Sequence, residues 1–410
     1  MVRYPPCPNL PPGVARHQWV CTRFCPPKSA QVYQPLGRKE ALTMPTSPSA
    51  KQLVLSTTAL CGELSVLAAS RLVPSQSYRY HVLEELGKDK LLRAYRRDQV
   101  KGYRLTRRAK TLLTEQAPAR YAALFTGSVR TNSYASELSR RLRMHRLGEV
   151  LAMMQLGGVS VCKDDKADLF GSRISPPGEP PLAFYPAREI QALGDAAIKI
   201  KNARMAGVLL TPARFYLVYN TGSARMRWAP ASELRARTLL TEFLGRRMGW
   251  PAYAGQNAEA LLLAEDLSLA PTLLTNHGGG KRQLFYLDST YEHLYLLPNT
   301  AQGDLLLQFF LSPRAFPSLH AAIGRTFLHK QQLGNFAFDA LDEKGRPVLF
   351  AWDFDLVRIQ SFQLGIRSRG LSGVAVAFDV QAPALQQCLG SEVEVRPLSL
   401  ARTGRMLLGG

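Results

Sequence analysis

Residues 86–113 read LGKDKLLRAYRRDQVKGYRLTRRAKTLL, and this stretch decides the fold of the first part of the chain. Residues 90–95 have the apolar and aromatic content of a strand, 96–102 that of a hairpin ending in Gly, and 103–105 that of the return strand. Thr106 offers a hydroxyl to a free amide of a following first turn, so a helix is expected over 107–115. From Lys88 to Lys110 stand ten Lys or Arg against two acids, Asp89 and Asp98. A hairpin this basic points to an anionic partner.

Upstream, residues 51–62 have helical composition, with Leu53, Val54, Leu55, Ala59 and Leu60 as apolar positions. A second short helix fits 63–72, its inner stripe Leu64, Leu67, Ala68 and Leu72. Pro74 blocks continuation, and Ser75 or Ser77 can cap a third helix over 78–86 that buries Val82, Leu83 and Leu86. Gly87 can end it in a left-handed turn. Three short helices followed by a basic hairpin make a winged helix-turn-helix over 50–125. Its expected partner is double-stranded DNA. Tyr78, Arg79, Tyr80 and His81 lie at the front of the third helix, where base edges or phosphates would be met. Arg93, Arg96, Arg97, Lys101, Arg104, Arg107 and Arg108, on the hairpin and the next helix, would face phosphates.

The whole composition agrees. The 410 residues carry 52 Lys and Arg against 31 Asp and Glu, a formal +21, while apolar residues make up an ordinary 46%. Such a field draws nucleic acid or an anionic surface. No apolar run reaches the roughly 18 residues of a membrane span, and the N-terminus lacks a continuous apolar leader, so a cytoplasmic protein without a membrane is expected. Cysteines at 7, 21, 25, 61, 162 and 388 suggest no disulfide framework. Cys7, His17, Cys21 and Cys25 are four soft ligands, but only Cys21 and Cys25 have metal-knuckle spacing, so zinc is not expected, nor any other cofactor. Ten of the 27 prolines fall in the first fifty residues. Residues 1–48 therefore read as an extended or disordered tail, and Met44 as an alternative start of translation.

Residues 126–170 read as a basic connector containing an amphipathic helix. In its basic cluster of Arg140, Arg141, Arg143, His145 and Arg146, three members (140, 143 and 146) repeat every third residue. Leu138, Leu142, Leu147 and Val150 form an opposing apolar stripe. Beyond the loop 171–181, residues 182–400 alternate strand-like runs (207–210, 215–219, 283–287, 348–351, 373–378) with helical ones (231–246, 317–328). That pattern makes an α/β C-terminal domain and an α+β chain.

The run Leu86-Gly87, Leu91-Leu92-Arg93, Gly102-Tyr103-Arg104-Leu105-Thr106 and the basic helix behind it resemble the winged helix of the replication-relaxation family. Those proteins are carried by plasmids and integrative conjugative elements of Gram-positive bacteria. The resemblance covers about a fifth of the chain and implies a non-catalytic DNA-binding accessory or regulatory protein of a mobile genetic element, acting in plasmid replication, conjugation or transcriptional control. In related nuclease-like domains an Asp-Gly opens one strand and a Glu-x-Asp ends the next, together holding a divalent metal. Here Ala206 precedes Gly207, and Val218-Tyr219-Asn220 stands for Glu-x-Asp. The resemblance thus implies a degenerate restriction-endonuclease-like fold without its acids.

Other chemistry finds little support. Asp353 and Asp355, at i and i+2, with Asp288 or Glu189, could hold a metal ion for a nuclease or relaxase accessory. Strand-end acids more often cap a helix or pair with an arginine such as Arg358. Residues 278–281, Gly-Gly-Gly-Lys, lack phosphate-loop spacing and read as a turn. No Ser sits in Gly-x-Ser-x-Gly, and His277, His293, His320 and His329 follow no zinc spacing. A third reading is a scaffold whose winged helix binds protein. A homodimer and a protein partner for the C-terminal domain are both compatible with the sequence, although no heptad run is present.

Overall fold

The Ser49 hydroxyl accepts from the Gln52 amide while Gln52 reaches back to the Ser49 amide. The computed structural model describes residues 49–126, 136–171, 178–194, 200, 203–275, 284–328 and 336–409. The Pro-rich stretch, Met44, the set Cys7, His17, Cys21 and Cys25, and the glycine turn at 278–281 lie outside the described residues.

The Ser49 capping box opens α1 (Ala50–Cys61). It is followed by the two-residue strand β1 (Leu64–Ser65) and by α2 (Val66–Leu72), capped by the Ser65 hydroxyl. Ser75 caps α3 (Gln76–Lys88). Gly87 does not end that helix as expected. It stays helical, and the turn is made one step later, where Asp89 caps and Lys90 takes φ 54°. Strands β2 (Leu92–Arg97) and β3 (Val100–Leu105) form the hairpin, and Thr106 caps α4 (Arg107–Gln116) as its position required. β1 pairs with β3, so the small sheet has the order β1-β3-β2, antiparallel throughout. Next come α5 (Pro118–Phe125) and α6 (Leu138–Leu156), the helix expected in the connector, 19 residues long.

Two larger sheets follow. In the first, β4 (Ala183–Pro186) leads through the turn α7 (Ala187–Ile190) to β5 (Gly207–Leu210), β6 (Phe215–Gly222), α8 (Pro230–Glu242), β7 (Glu259–Ala264), α9 (Ala270–Leu274) and β8 (Leu294–Pro298). Strand order is β4-β5-β6-β7-β8; the first two pairings are antiparallel and the last two parallel. After α10 (Ala301–Leu311) and α11 (Ala315–Gly324) come β9 (Ala340–Leu341), β10 (Pro347–Phe350), α12 (Leu356–Arg369), β11 (Gly373–Phe378), α13 (Ala382–Leu389), β12 (Val393–Leu398) and α14 (Leu400–Leu407). Their sheet has the order β12-β11-β10-β9. The chain is therefore mixed α and β. The strand expected at 283–287 is not formed by the described residues there: Leu284 makes a single bridge to Arg227.

β5, β6, β7 and β8 are buried on both faces, which is why they read as unbroken apolar runs. On β6, Leu217 and Tyr219 enter one core, and Tyr216 and Val218 enter the other. The second core is continuous with Val54, Leu60, Leu64 and Leu86 of the N-terminal helices and with Val150–Met154 of α6. The hairpin module and the five-stranded sheet thus share one apolar interior, with α6 between them.

The hairpin turns in two residues. Arg97 pairs with Val100, leaving Asp98 and Gln99 at φ 51° and 60°. Positive φ at both positions is the tight-turn geometry that Asn-Gly satisfies best. Replacing Asp98 by Asn and Gln99 by Gly together should raise hairpin stability by about 1 kcal/mol, read as slower exchange of the Val100 and Lys101 amides.

Candidate nucleic-acid interface

Ser75 aims the first turn of α3 outward, and its neighbours stay in solvent: Tyr78 is 54% and Tyr80 65% exposed, and His81 is exposed beside them. Arg79 is half-buried, its guanidinium donating to the carbonyls of Val73 at 2.9 Å and Pro74 at 3.3 Å. It therefore ties α3 to the preceding turn as well as presenting charge. Gln76, Ser77, Tyr80, His81 and Tyr103 of β3 line an open concavity of ≈ 640 Å³ at this end. Arg93, Arg96, Arg97 and Lys101 are exposed on the hairpin, and Arg107 and Arg108 on the first turn of α4. The acids nearest α3 are already engaged, Glu84 by Lys88 at 2.9 Å and Glu85 by Lys51 at 3.0 Å.

Arg104 is a correction. Expected to face phosphate, it is 2% exposed, and its guanidinium lies on the carboxylate of Glu63, at 2.8 Å from Nε and 2.6 Å from Nη2. β3 alternates its faces, and position 104 falls inward with Gly102, opposite Lys101 and Tyr103. The connector helix needs the same correction. Arg141 is fully buried and His145 nearly so, whereas Leu138 and Leu142, expected inside, are 39% and 37% exposed. Arg141 and His145 reach the same Glu63 carboxylate, at 2.7 and 2.9 Å, and Arg141 also donates to the carbonyls of Arg97 and Val100. Both guanidiniums pack on the Tyr95 ring, at 3.6 and 4.6 Å from its centre. One carboxylate thus pins the hairpin tip to α6. Burial would push Glu63 up, but His145, Arg141 and Arg104 together hold it down at about 2. Sequence reading missed Glu63 altogether. The available signal was the spacing Arg141, His145, Glu149, three ionisable residues on one helical face.

Glu149, one turn on, accepts from Ser65 at 3.0 Å, from Asn220 at 3.0 Å and from Asn299 at 3.2 Å. Arg71 of α2 bonds Asn299 and Asp304. These groups meet at the C-terminal ends of the parallel strands β6 and β8. Burial pushes Glu149 above the usual carboxylate range, against Asn220 and Ser65, and pushes Asp304 to about 6, against Arg71.

The positions matched to a nuclease motif come together on this sheet. The Ala206 amide donates to the Val218 carbonyl at 2.7 Å, and Asn220 follows on the face of β6 that Val218 presents. Asn220 is bound to Glu149 and to the Arg146 carbonyl, so its amide acts as structural glue. Asp353 and Asp355 do not share a strand face. β10 stops at Phe350, and Phe354 takes φ 51° between them. Asp355 caps α12 through the Val357 amide and accepts from His293 at 2.6 Å; Asp353 lies 3.3 Å from Arg358. Asp288 accepts from the Trp228 indole, and Glu189 pairs with Lys166. His320 packs on the rings of Phe350 and Trp352. Among the described residues, the three-ligand group close enough for a metal is Cys162, Asp164 and Asp165, and both its acids are held by Arg120. No helix among the described residues is long and apolar enough to cross a membrane.

No protein-family model matches the chain, and no curated protein and no solved structure is significantly similar to it.

The Glu63 cluster generates two predictions. A carboxyl depressed to about 2 adds stability above its unfolded value near 4.5 and loses it as pH falls towards 2, on the order of 3 kcal/mol in all. Glu233 and Asp304, raised by burial to about 7 and 6, act in the opposite sense over the pH range above that. The pH 4.5–2 loss in urea-unfolding free energy should therefore be smaller in Glu63→Gln than in the wild type, the remainder coming from Glu394, which Arg396 and Arg346 also hold at about 2. Glu63→Gln is itself weakened by about 3 kcal/mol at pH 7 because two buried guanidiniums lose their counter-charge. Gly102→Ala should be as damaging, since a Cβ there would sit 2.4 Å from Glu63 Oε1 and 2.6 Å from His145 Nε2. A melt unchanged from wild type would contradict that.

Proposed function

We propose that residues 50–125 form a winged helix-turn-helix that binds double-stranded DNA. The observation that carries this reading is the exposed start of α3, where Tyr80 and His81 share a concavity with Tyr103 of β3, and where Lys101 shares the strand face of Tyr103 and pairs with Arg96. Tyr78 on α3 and Arg107 and Arg108 on α4 are exposed as well, and Arg93 and Arg97 are exposed on the other face of the hairpin. The order helix, strand, helix, helix, hairpin, with the first strand paired to the last, supports the motif. In this reading α3 enters the major groove, its aromatic and imidazole groups meet base edges, and the hairpin follows the phosphates.

The C-terminal α/β part, in this proposal a degenerate restriction-endonuclease-like domain, holds the DNA-binding face in place without cutting DNA. Support comes from the roles of its acids: Asp353 and Asp355 are committed to Arg358, to a helix cap and to His293, and the motif positions carry Ala206, Val218 and Asn220. With the likeness of residues 86–113 to replication-relaxation proteins, the function that fits is an accessory or regulatory role in a mobile genetic element, within the cytoplasm.

Fluorescence anisotropy of the full chain with a random 30-base-pair duplex across a salt series tests the reading. Affinity should fall steeply with salt, and changing Arg96, Arg97 and Lys101 together to Ala should lower the log–log slope by about 3, at about 0.9 per phosphate contact. Arg104→Ala should instead lower the melting temperature. Absence of binding at low salt overturns the reading, and Mg²⁺-dependent nicking lost in Asp353→Ala would replace it with a nuclease.

A further inference from the structure

The four base pairs differ in the donors, acceptors and methyl groups they show in the major groove, so the groups left open on α3 decide which of them it can meet. The concavity at the start of α3 is lined by half-buried Leu83 and Tyr103 and by the exposed Gln76, Ser77, Tyr80 and His81. Gln76 is the first residue of the helix, and Tyr80 follows one turn later on the same side. The Gln76 carboxamide has no hydrogen-bond partner among the described residues. In a helix-turn-helix the N-terminal residues of the recognition helix are the ones that reach base edges.

The groups suited to a G·C pair are already engaged. Arg79, the cation in this lining, gives Nη1 to the carbonyls of Val73 and Pro74, at 2.9 and 3.3 Å. That nitrogen is one of the two with which an arginine grips guanine O6 and N7 end-on. Glu84, one turn beyond Tyr80, is the acid that would accept from cytosine N4, and Lys88 holds it at 2.9 Å. The His81 imidazole aims one N–H at a given base edge, and a single donor suits N7, which adenine and guanine share. What stays open matches an A·T pair. A carboxamide donates to adenine N7 and accepts from its N6 amino group in one bidentate contact, whereas guanine sets the O6 acceptor against the carboxamide oxygen. The thymine methyl, absent from cytosine, meets apolar surface on Tyr80, Leu83 and Tyr103.

We infer that α3 selects A·T base pairs through the major groove, with Gln76 reading adenine and the Tyr80, Leu83 and Tyr103 side of the concavity taking the thymine methyl. The inference rests on the DNA-binding reading above and adds to it the bases preferred. Arg96 and Lys101 supply affinity in the same complex without choosing between sequences.

Competition by alternating duplex polymers against a labelled random duplex bound to the full chain, read by fluorescence anisotropy, tests the assignment. Poly(dA-dT) should compete at least about tenfold better than poly(dG-dC). Poly(dI-dC) carries the major-groove edge of guanine without its minor-groove amino group, and it should rank with poly(dG-dC). Poly(dA-dU) lacks the methyl and should compete about threefold less well than poly(dA-dT). Gln76→Ala, at an exposed position behind the Ser75 cap, should cut the ratio of A·T to G·C affinity about fivefold. It should leave poly(dG-dC) affinity, the salt slope and the thermal melt as in the wild type. Equal competition by all four polymers, or a preference that survives Gln76→Ala, overturns the inference and leaves the DNA-binding reading standing. So does poly(dI-dC) ranking with poly(dA-dT), which would place the preference in the minor groove. A labelled duplex that does not bind at low salt overturns both.

Discussion

A carboxylate sealed from water is costly unless several donors meet it at once. Glu63 stands in that position, with Arg104 from β3 and Arg141 and His145 from α6 on its two oxygens. The geometry has a condition on the other side. β3 must pass within contact of the carboxylate, and only a residue without a Cβ leaves room, hence Gly102. The hairpin therefore cannot swing freely on its two-residue turn. Arg141 grips the carbonyls of Arg97 and Val100 on either side of that turn, so the angle of the hairpin is set by α6, with Arg141 lying 44 and 41 residues from them in sequence.

α6 in turn is fixed to the five-stranded sheet. Its N-terminal half meets the hairpin module through ionised groups, whereas Val150–Met154 are fully buried. Between those halves, Glu149 gathers Ser65 from the strand before α2 and Asn220 and Asn299 from the ends of β6 and β8. Arg71 adds a second cross-link, from α2 to Asp304 at the start of α10. Polar pairs of this kind add little net stability compared with apolar packing, but they tolerate only one register. The shared apolar core supplies cohesion, and the buried ions fix orientation. A force applied at Arg96 or Lys101 is thereby transmitted to the sheet through α6 and α2 together.

Local signals were legible and burial was not. Ser75 and Thr106 gave the third helix and its successor nearly at their true limits, because caps act through neighbours in sequence. The hairpin was legible as such, but its turn, expected over 96–102, closes at Asp98 and Gln99 and both strands run longer towards it. The strands 207–210, 215–219 and 373–378 were legible for the related reason that burial on both faces leaves an unbroken apolar run. Arg104 and Arg141 misled, because a guanidinium looks the same in sequence whether it faces a phosphate or an internal acid. Only the position of Glu63, some forty and eighty residues distant, separates the two cases. The orientation of α6 escaped for a similar reason: its inner face is lined by Arg141, His145 and Glu149, so a search for an apolar stripe set it the wrong way round. Leu138 and Leu142 then fell on the outside.

The same distinction determines how much of the charge can act at a distance. Arg71, Arg104, Arg141 and Lys166 are buried against acids, so each contributes to internal structure and little to the field outside. Arg96, Arg97, Lys101, Arg107 and Arg108 instead stay exposed, Arg97 with Asp98 3.6 Å away, and their potential adds. A net charge counts both populations alike. The pairing inside silences the interior arginines and leaves the exposed cations of the hairpin and of the first turn of α4 as a positive surface on a rigid support.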